Sequence, residues 1–182
     1  MNNKLGFSAI VIKTINEERR EFSGIASTPQ LDRVGDIVEP KGLTFAKDVP
    51  LLLNHNHSQP VGNVQFGAPT DKGLPFHAKI PKVDEAGAVK DRTDTAWHSV
   101  KSGIIKGVSI GFLPKASVPV GNGKGTRYTR AEVHELSLVA IPANPGAMIT
   151  ALKSMQGHGQ LPPGTRVTYR FTPDPRTGHF WK

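Results

Sequence analysis

The stretch "RYTRAEVHELSLVAIP", residues 127–142, carries the longest strand pattern in the chain, and the rest of the sequence is best read outward from it. At a period of two, Val133, Glu135, Ser137 and Val139 fall on one face, and His134, Leu136 and Leu138 on the other. Glu135 therefore poses a problem. A carboxylate among so many apolar neighbours is costly to bury unless it is paired. It could equally stand at an exposed strand start, where acids are common.

Upstream, "KGVSIGFLP" (106–114) reads as another strand, separated from the first by a polar, glycine-rich stretch, "VPVGNGKGTR" (118–127), that reads as an exposed loop. "FSAIVIKTI" (7–15) and "EFSGIAST" (21–28) form strand patterns that "NEERR" would turn into a hairpin over residues 5–28. "PQLDRVGDIVEP" (29–40) reads as loop and "KGLTFAKD" (41–48) as one helical turn. "VPLLLNHNH" (49–57) is a strand ending in a polar tip, from which "SQPVGNVQF" (58–66) returns. In "LPFHAKIPK" (74–82), Phe76, Ala78 and Ile80 lie opposite His77 and Lys79. The best helix pattern is "DRTDTAWHSVKSG" (91–103), with Asp91 or Thr93 as its cap, Ala96, Trp97 and Val100 on one face and Gly103 at its stop. "ANPGAMITALKS" (143–154) permits a second short helix. The fold class expected is mainly β with a few helices (α+β), with a domain over residues 1–153 and a flexible C-terminal tail over 154–182.

Composition agrees with that class. The 182 residues include 15 prolines and 19 glycines, which shorten apolar segments and multiply turns. The formal charge of +8 raises the question of nucleic acid, yet the basic residues are scattered and few aromatics are interleaved with them. A solvated basic surface is the reading adopted, and nucleic acid is not expected as a specific ligand. With no cysteine, disulfides, thiolate metal sites and a cysteine nucleophile are excluded. No apolar run approaches the ~18 residues of a membrane-spanning helix, and the N-terminus lacks a signal-peptide pattern, so a soluble intracellular protein without membrane partners is expected.

Three polar features interrupt the apolar strands. His55 and His57 stand two apart in "NHNHS" (54–58), a same-side spacing on a strand that could ligate a metal, but no HExxH or acid-rich partner accompanies them and no metal is expected. Ser109 lies in Gly107-Val108-Ser109-Ile110-Gly111, which matches GxSxG by letter but lacks the strand–turn–helix setting of an α/β-hydrolase. It is either an ordinary strand serine bonded to a neighbouring backbone or a nucleophile. Glu135 is the third. A serine hydroxyl needs a base, histidine suits that task near neutral pH, and the imidazole needs a third group to fix its tautomer. One Ser, one His and one acid supply the parts, and spacing alone does not show that they meet.

Four stretches in order, "FSGIASTPQLDRVGDIVEPKGL" (22–43), "PLLLNHNHSQPVGNV" (50–64), "IKGVSIGF" (105–112) and "VHELSLVAIPANPGA" (133–147), resemble the prohead (capsid maturation) proteases of tailed bacteriophages. That family is related to the herpesvirus assembly proteases, so the resemblance implies a strand barrel surrounded by short helices. It implies Ser109 as nucleophile, His55 as base and Glu135 as the acid that orients it. His134 is the less favoured third member, since the herpesvirus relatives have a histidine there, and His57 the less favoured base. Backbone N–H groups around "IPANPG" (141–146) would hold the oxyanion, and no cofactor is required. The implied function is a serine endopeptidase that cleaves scaffold protein, major capsid protein and itself during procapsid maturation, inside the assembling procapsid in the host cytoplasm. A homo-oligomer would fit the relatives. The competing reading is a catalytically inert, basic, β-rich assembly or binding protein of the procapsid.

Overall fold

The computed structural model describes residues 19–121 and 125–152. Its elements run β1 (Glu21–Ser27), β2 (Ile37–Val38), a 3-10 turn (Pro40–Gly42), β3 (Leu43–Phe45), β4 (Val49–Leu53), β5 (Pro60–Phe66), β6 (Leu74–Lys79), α1 (Ala88–Lys101), β7 (Gly107–Val120), β8 (Gly125–Val139) and β9 (Met148–Leu152). Following the pairings from neighbour to neighbour gives β8–β4–β5–β6–β1–β9–β7 and back to β8, a closed barrel of seven strands. Closure pairs edges that an antiparallel sheet otherwise exposes to aggregation, apart from the part of β7 beyond Gly107.

β8 is the hub. It pairs antiparallel with β7 along its whole length, while its other side takes β2 and β3 along its first part and β4 along its second, all parallel. The core holds Phe22, Leu51, Val64, Leu74, Ile80, Val108, Leu136 and Leu138, each essentially inaccessible. Burying one such side chain contributes ~1.5–3 kcal/mol, against about 1 kcal/mol net for a ladder hydrogen bond. Apolar burial therefore sets the register, because a slip of one residue would turn every one of these side chains outward. β6 follows the sequence pattern, with Phe76, Ala78 and Ile80 buried and Lys79 exposed.

Several local expectations change. α1 begins at Ala88, after Gly87, and no side chain caps it. Asp91 instead lies in the first turn, where its charge suits the helix dipole, and Thr93 is buried mid-helix with its hydroxyl donating to the carbonyls of Val89 and Lys90. Ala96, Trp97 and Val100 form the buried face as their spacing predicts. The expected loop at 118–127 is mostly strand: Val118 pairs with Arg127 and Val120 with Gly125, because strand pairing satisfies backbone groups regardless of side-chain polarity. Residues 122–124 lie outside the described residues. The helical turn expected at 41–48 is the short 3-10 turn followed by β3, and β2 forms within the stretch expected to be loop. The second helix expected at 143–154 does not form. β9 occupies that segment, since the place between β1 and β7 leaves ladder groups that only a strand can satisfy. The strand expected at 7–15, its hairpin turn and the tail at 154–182 lie outside the described residues. Among the described residues, no helix is long and apolar enough to cross a membrane.

One ion-pair group ties the start of β1 to α1. Asp94 lies 2.5 Å from Nζ of Lys90, one turn earlier, and forms an ion pair with Nη1 of Arg20 at 2.7 Å. The Lys90 hydrogen bond, reinforced by Arg20, lowers the Asp94 carboxyl to about 2. A lowered folded-state value means that this stabilisation is complete above the unfolded carboxyl value of about 3.9 and fades as pH falls through the folded one. The stability difference between wild type and Asp94→Asn, measured by urea unfolding, is expected to be constant near neutrality, to shrink between pH ~4 and ~2, and to vanish below that.

Candidate active site

β4 ends at Leu53, and the chain then reverses. Asn54 and His55 both adopt left-handed backbone angles, φ 51° and 56°. Such a conformation is uncommon outside glycine, though Asn and His tolerate it better than most residues. Two hydrogen bonds hold it: the Asn54 N–H donates to the Leu138 carbonyl (3.0 Å), and the His55 N–H donates to Oγ of Ser137 (2.9 Å). The reversal brings the imidazole back over β8, where Nδ1 of His55 lies 2.5 Å from Oε1 of Glu135.

Glu135 is 3% exposed. Its second oxygen, Oε2, accepts a hydrogen bond from the hydroxyl of Ser137 at 2.8 Å. Both carboxylate oxygens are therefore partnered, which offsets the desolvation that made the residue hard to place from sequence. Of the two readings left open for it, the buried and paired one holds. An ionised carboxylate only accepts, so while Glu135 is charged the proton in this pair sits on Nδ1 of His55. In the neutral imidazole Nε2 then carries the lone pair, on a side chain that is 44% exposed. That nitrogen is free to accept a proton from outside.

Ser109 reaches this place by register. On β7 it stands directly opposite Ser137, and Gly111 stands opposite Glu135. Directly opposed residues point to the same face with Cβ atoms about 4.5–5.5 Å apart, so Ser109 shares a face of the sheet with Ser137 and Glu135. Gly111 is the gap that makes room, because a Cβ there would collide with the Glu135 carboxylate. Just beyond, the register jumps: Gly111 pairs with Glu135 but Phe112 pairs with Val133, so His134 is the extra residue of a β-bulge. The bulge changes which alternate residues reach the core. Ala131 and Val133 are buried before it, Leu136 and Leu138 after it, and His134 is exposed.

Ser109 also borders a small cavity of about 50 Å³, together with Asp32, Val38, Phe112, Ala143 and Asn144. The last two belong to the loop between β8 and β9, which is firmly anchored. Asn144 donates to the Thr28 carbonyl (2.7 Å) and accepts from the Thr28 hydroxyl (2.9 Å), and Nε of Arg33 donates to the Pro142 carbonyl (3.1 Å). This loop contains the segment expected to supply oxyanion donors.

The other two candidate histidines stand apart. His57 and His134 are exposed and border a wider opening of about 360 Å³ that Glu135 also lines. The same-side reading of His55 and His57 fails because the strand stops at Leu53, before either of them. No group of three or more metal-ligating side chains gathers among the described residues. Sequence reading missed Ser137 and Gly111 as parts of the site. The signals were present: Ser137 is two residues from Glu135 on the same strand, and Gly111 two from Ser109.

A second Ser–His–acid set lies elsewhere, with Oγ of Ser23 3.0 Å from Nδ1 of His77 and Nε2 of His77 3.8 Å from Glu21. Ser23 and Glu21 are on β1, which is paired on both sides, by β6 and by β9, and His77 is on β6, which pairs with β1 and β5. β7, by contrast, meets β9 only at Gly107, so beyond that point its second edge has no strand partner among the described residues.

Residues 22–160 match the family model described as caudovirus prohead serine protease. The chain belongs to that family. Among curated relatives, it is 43% identical over 155 residues to a capsid polyprotein of Pseudomonas phage PAJU2, covering 85% of this chain and 23% of that protein. It is 28% identical over 159 residues to the prohead protease of Escherichia phage T5, covering 81% of this chain and 71% of that one. The chain thus spans about a quarter of the length of the polyprotein and most of the length of the T5 protease. Among solved structures, KSHV protease in complex with a hexapeptide phosphonate inhibitor is similar at 14% identity and a TM-score of 0.42, over 71% of this chain and 63% of that one.

The crowding at Gly111 yields a prediction. Gly111→Ala is expected to push the Glu135 carboxylate off His55 and to lower peptide hydrolysis by about 100-fold, the scale of a misplacement near 1 Å. Circular dichroism should report an intact barrel, and unchanged hydrolysis would mean that the carboxylate has room to move without consequence.

Proposed function

We propose that this protein is a serine endopeptidase of procapsid maturation, with Ser109 as nucleophile, His55 as general base and Glu135 as the group that orients His55. The observation that carries the reading is the buried carboxylate 2.5 Å from Nδ1 of His55, on the strand where Ser137, two residues away, stands opposite Ser109. In this reading Nε2 of His55 takes the Ser109 proton as Oγ attacks the peptide carbonyl, then delivers it to the leaving amine. Water hydrolyses the acyl-enzyme by the same route in reverse. Backbone N–H groups of residues 141–146 would stabilise the oxyanion, and no metal or organic cofactor enters any step.

In this reading the substrates are scaffold protein, the major capsid protein and the enzyme itself, cleaved inside the assembling procapsid in the infected host. The net charge of +8 suits an acidic scaffold, and that attraction should weaken as salt rises. Residues 1–153 form the protease domain in this proposal, and residues 154–182 are a tail that serves as a recruitment tether or self-cleavage segment.

The test is co-expression with the phage's capsid and scaffold proteins, wild type beside Ser109→Ala, read by intact mass. Cleavage is expected in the wild type alone, with the variant slower by at least about 10⁴-fold and its circular dichroism unchanged. Identical masses from both would favour the inert assembly protein.

A further inference from the structure

We propose that Ser137 is a positioning residue for the hydrolytic reaction, acting through both His55 and Glu135; this rests on the triad reading above. Its hydroxyl does two things at once. It donates to Oε2 of Glu135 at 2.8 Å, and its oxygen accepts the backbone N–H of His55 at 2.9 Å. With the His55 Nδ1–Glu135 Oε1 contact, these bonds close a ring that runs from the His55 backbone through Ser137 to the carboxylate and back to the imidazole. The ring fixes two separate quantities, the rotation of the carboxylate and the place of the left-handed turn that carries the base.

Ser137 is fully buried, and its strand neighbours on β4 and β7 are Leu52 and Ser109. Without its hydroxyl, Oε2 of a carboxylate that is 3% exposed loses its donor, and the His55 N–H loses its acceptor. The carboxylate is then free to rotate towards the opening bordered by His57 and His134, away from Nδ1 of His55. Ser137 never touches the reacting peptide in this scheme, so its loss should slow the chemical step and leave binding almost unchanged.

The experiment uses the full chain and a fluorophosphonate probe, which reports activation of the nucleophile without requiring the natural substrate. Saturation kinetics separate the maximal labelling rate from the probe concentration at half saturation. Ser137→Ala is expected to lower the maximal rate about 100-fold with half saturation within about twofold. The far-downfield imidazole proton resonance of the His55–Glu135 pair should also be lost. Ser137→Cys, which keeps a weak S–H donor in place, should recover a substantial part of the rate and guards against Ser137→Ala failing to fold. A maximal rate equal to wild type in folded Ser137→Ala, or a folded Ser137→Cys that recovers none of the rate, beside an unlabelled Ser109→Ala, would overturn the role of Ser137 alone. Labelling that persists in Ser109→Ala would overturn the nucleophile assignment and this role with it.

Discussion

A carboxylate placed inside a protein must be paired, and the arrangement around Glu135 follows from that requirement. Each of its oxygens has one partner: His55 takes Oε1 and the Ser137 hydroxyl takes Oε2. Gly111 on the facing strand leaves the space in which the group sits. The left-handed turn at Asn54 and His55 is the backbone's share, since an extended continuation of β4 would carry the imidazole away. Uncommon backbone angles of this kind persist only where the surroundings over-determine them, and here two hydrogen bonds to β8 do so.

β8 carries these demands because its two halves have different neighbours. Its first half is flanked by two short parallel strands, and its second half is gripped by β4 and β7 with Leu136 and Leu138 in the core. The bulge at His134 separates the halves. One inserted residue changes which alternate positions reach the interior, so a single strand can bury Val133 on one count and Leu136 on the next. Bulges recur beside functional sites for this reason: they re-aim a side chain without breaking the sheet.

Much of this was legible in the sequence. Alternation located β6 and part of β8, and short apolar strand patterns located β1, β4, β5 and the start of β7, because burial of apolar side chains leaves its period in the sequence. The buried face of α1 was legible for the same reason. The four family-like stretches pointed to Ser109, His55 and Glu135, whereas strand pattern and spacing left Ser109 undecided. The bulge was not legible, since strict alternation through His134 assumes a regular ladder. β9 was hidden because "ANPGAMITALKS" has no strong period, and its conformation is imposed by the ladder groups of β1. The turn at Asn54 depends on bonds to Leu138 and Ser137, more than 80 positions later in the chain. Local propensity contains no trace of such partners.

The barrel closes through one residue pair, Gly107 with Met148, and β9 is the last described strand while its partner β1 is the first. This gives the molecule an order in time. During synthesis every strand that bears the Ser–His–Glu group is complete before the closing strand has been made. The loop at 140–147 has its far end fixed only when β9 docks, through Val108 N–H to the Ala147 carbonyl and Ile149 N–H to the Lys106 carbonyl. Contacts between such distant parts of a chain form slowly, because the entropy of bringing the ends together is lost before any contact compensates it. The fold therefore contains its own delay: the wall of the cleft beside Ser109 is finished only when the last described strand has been made and has docked.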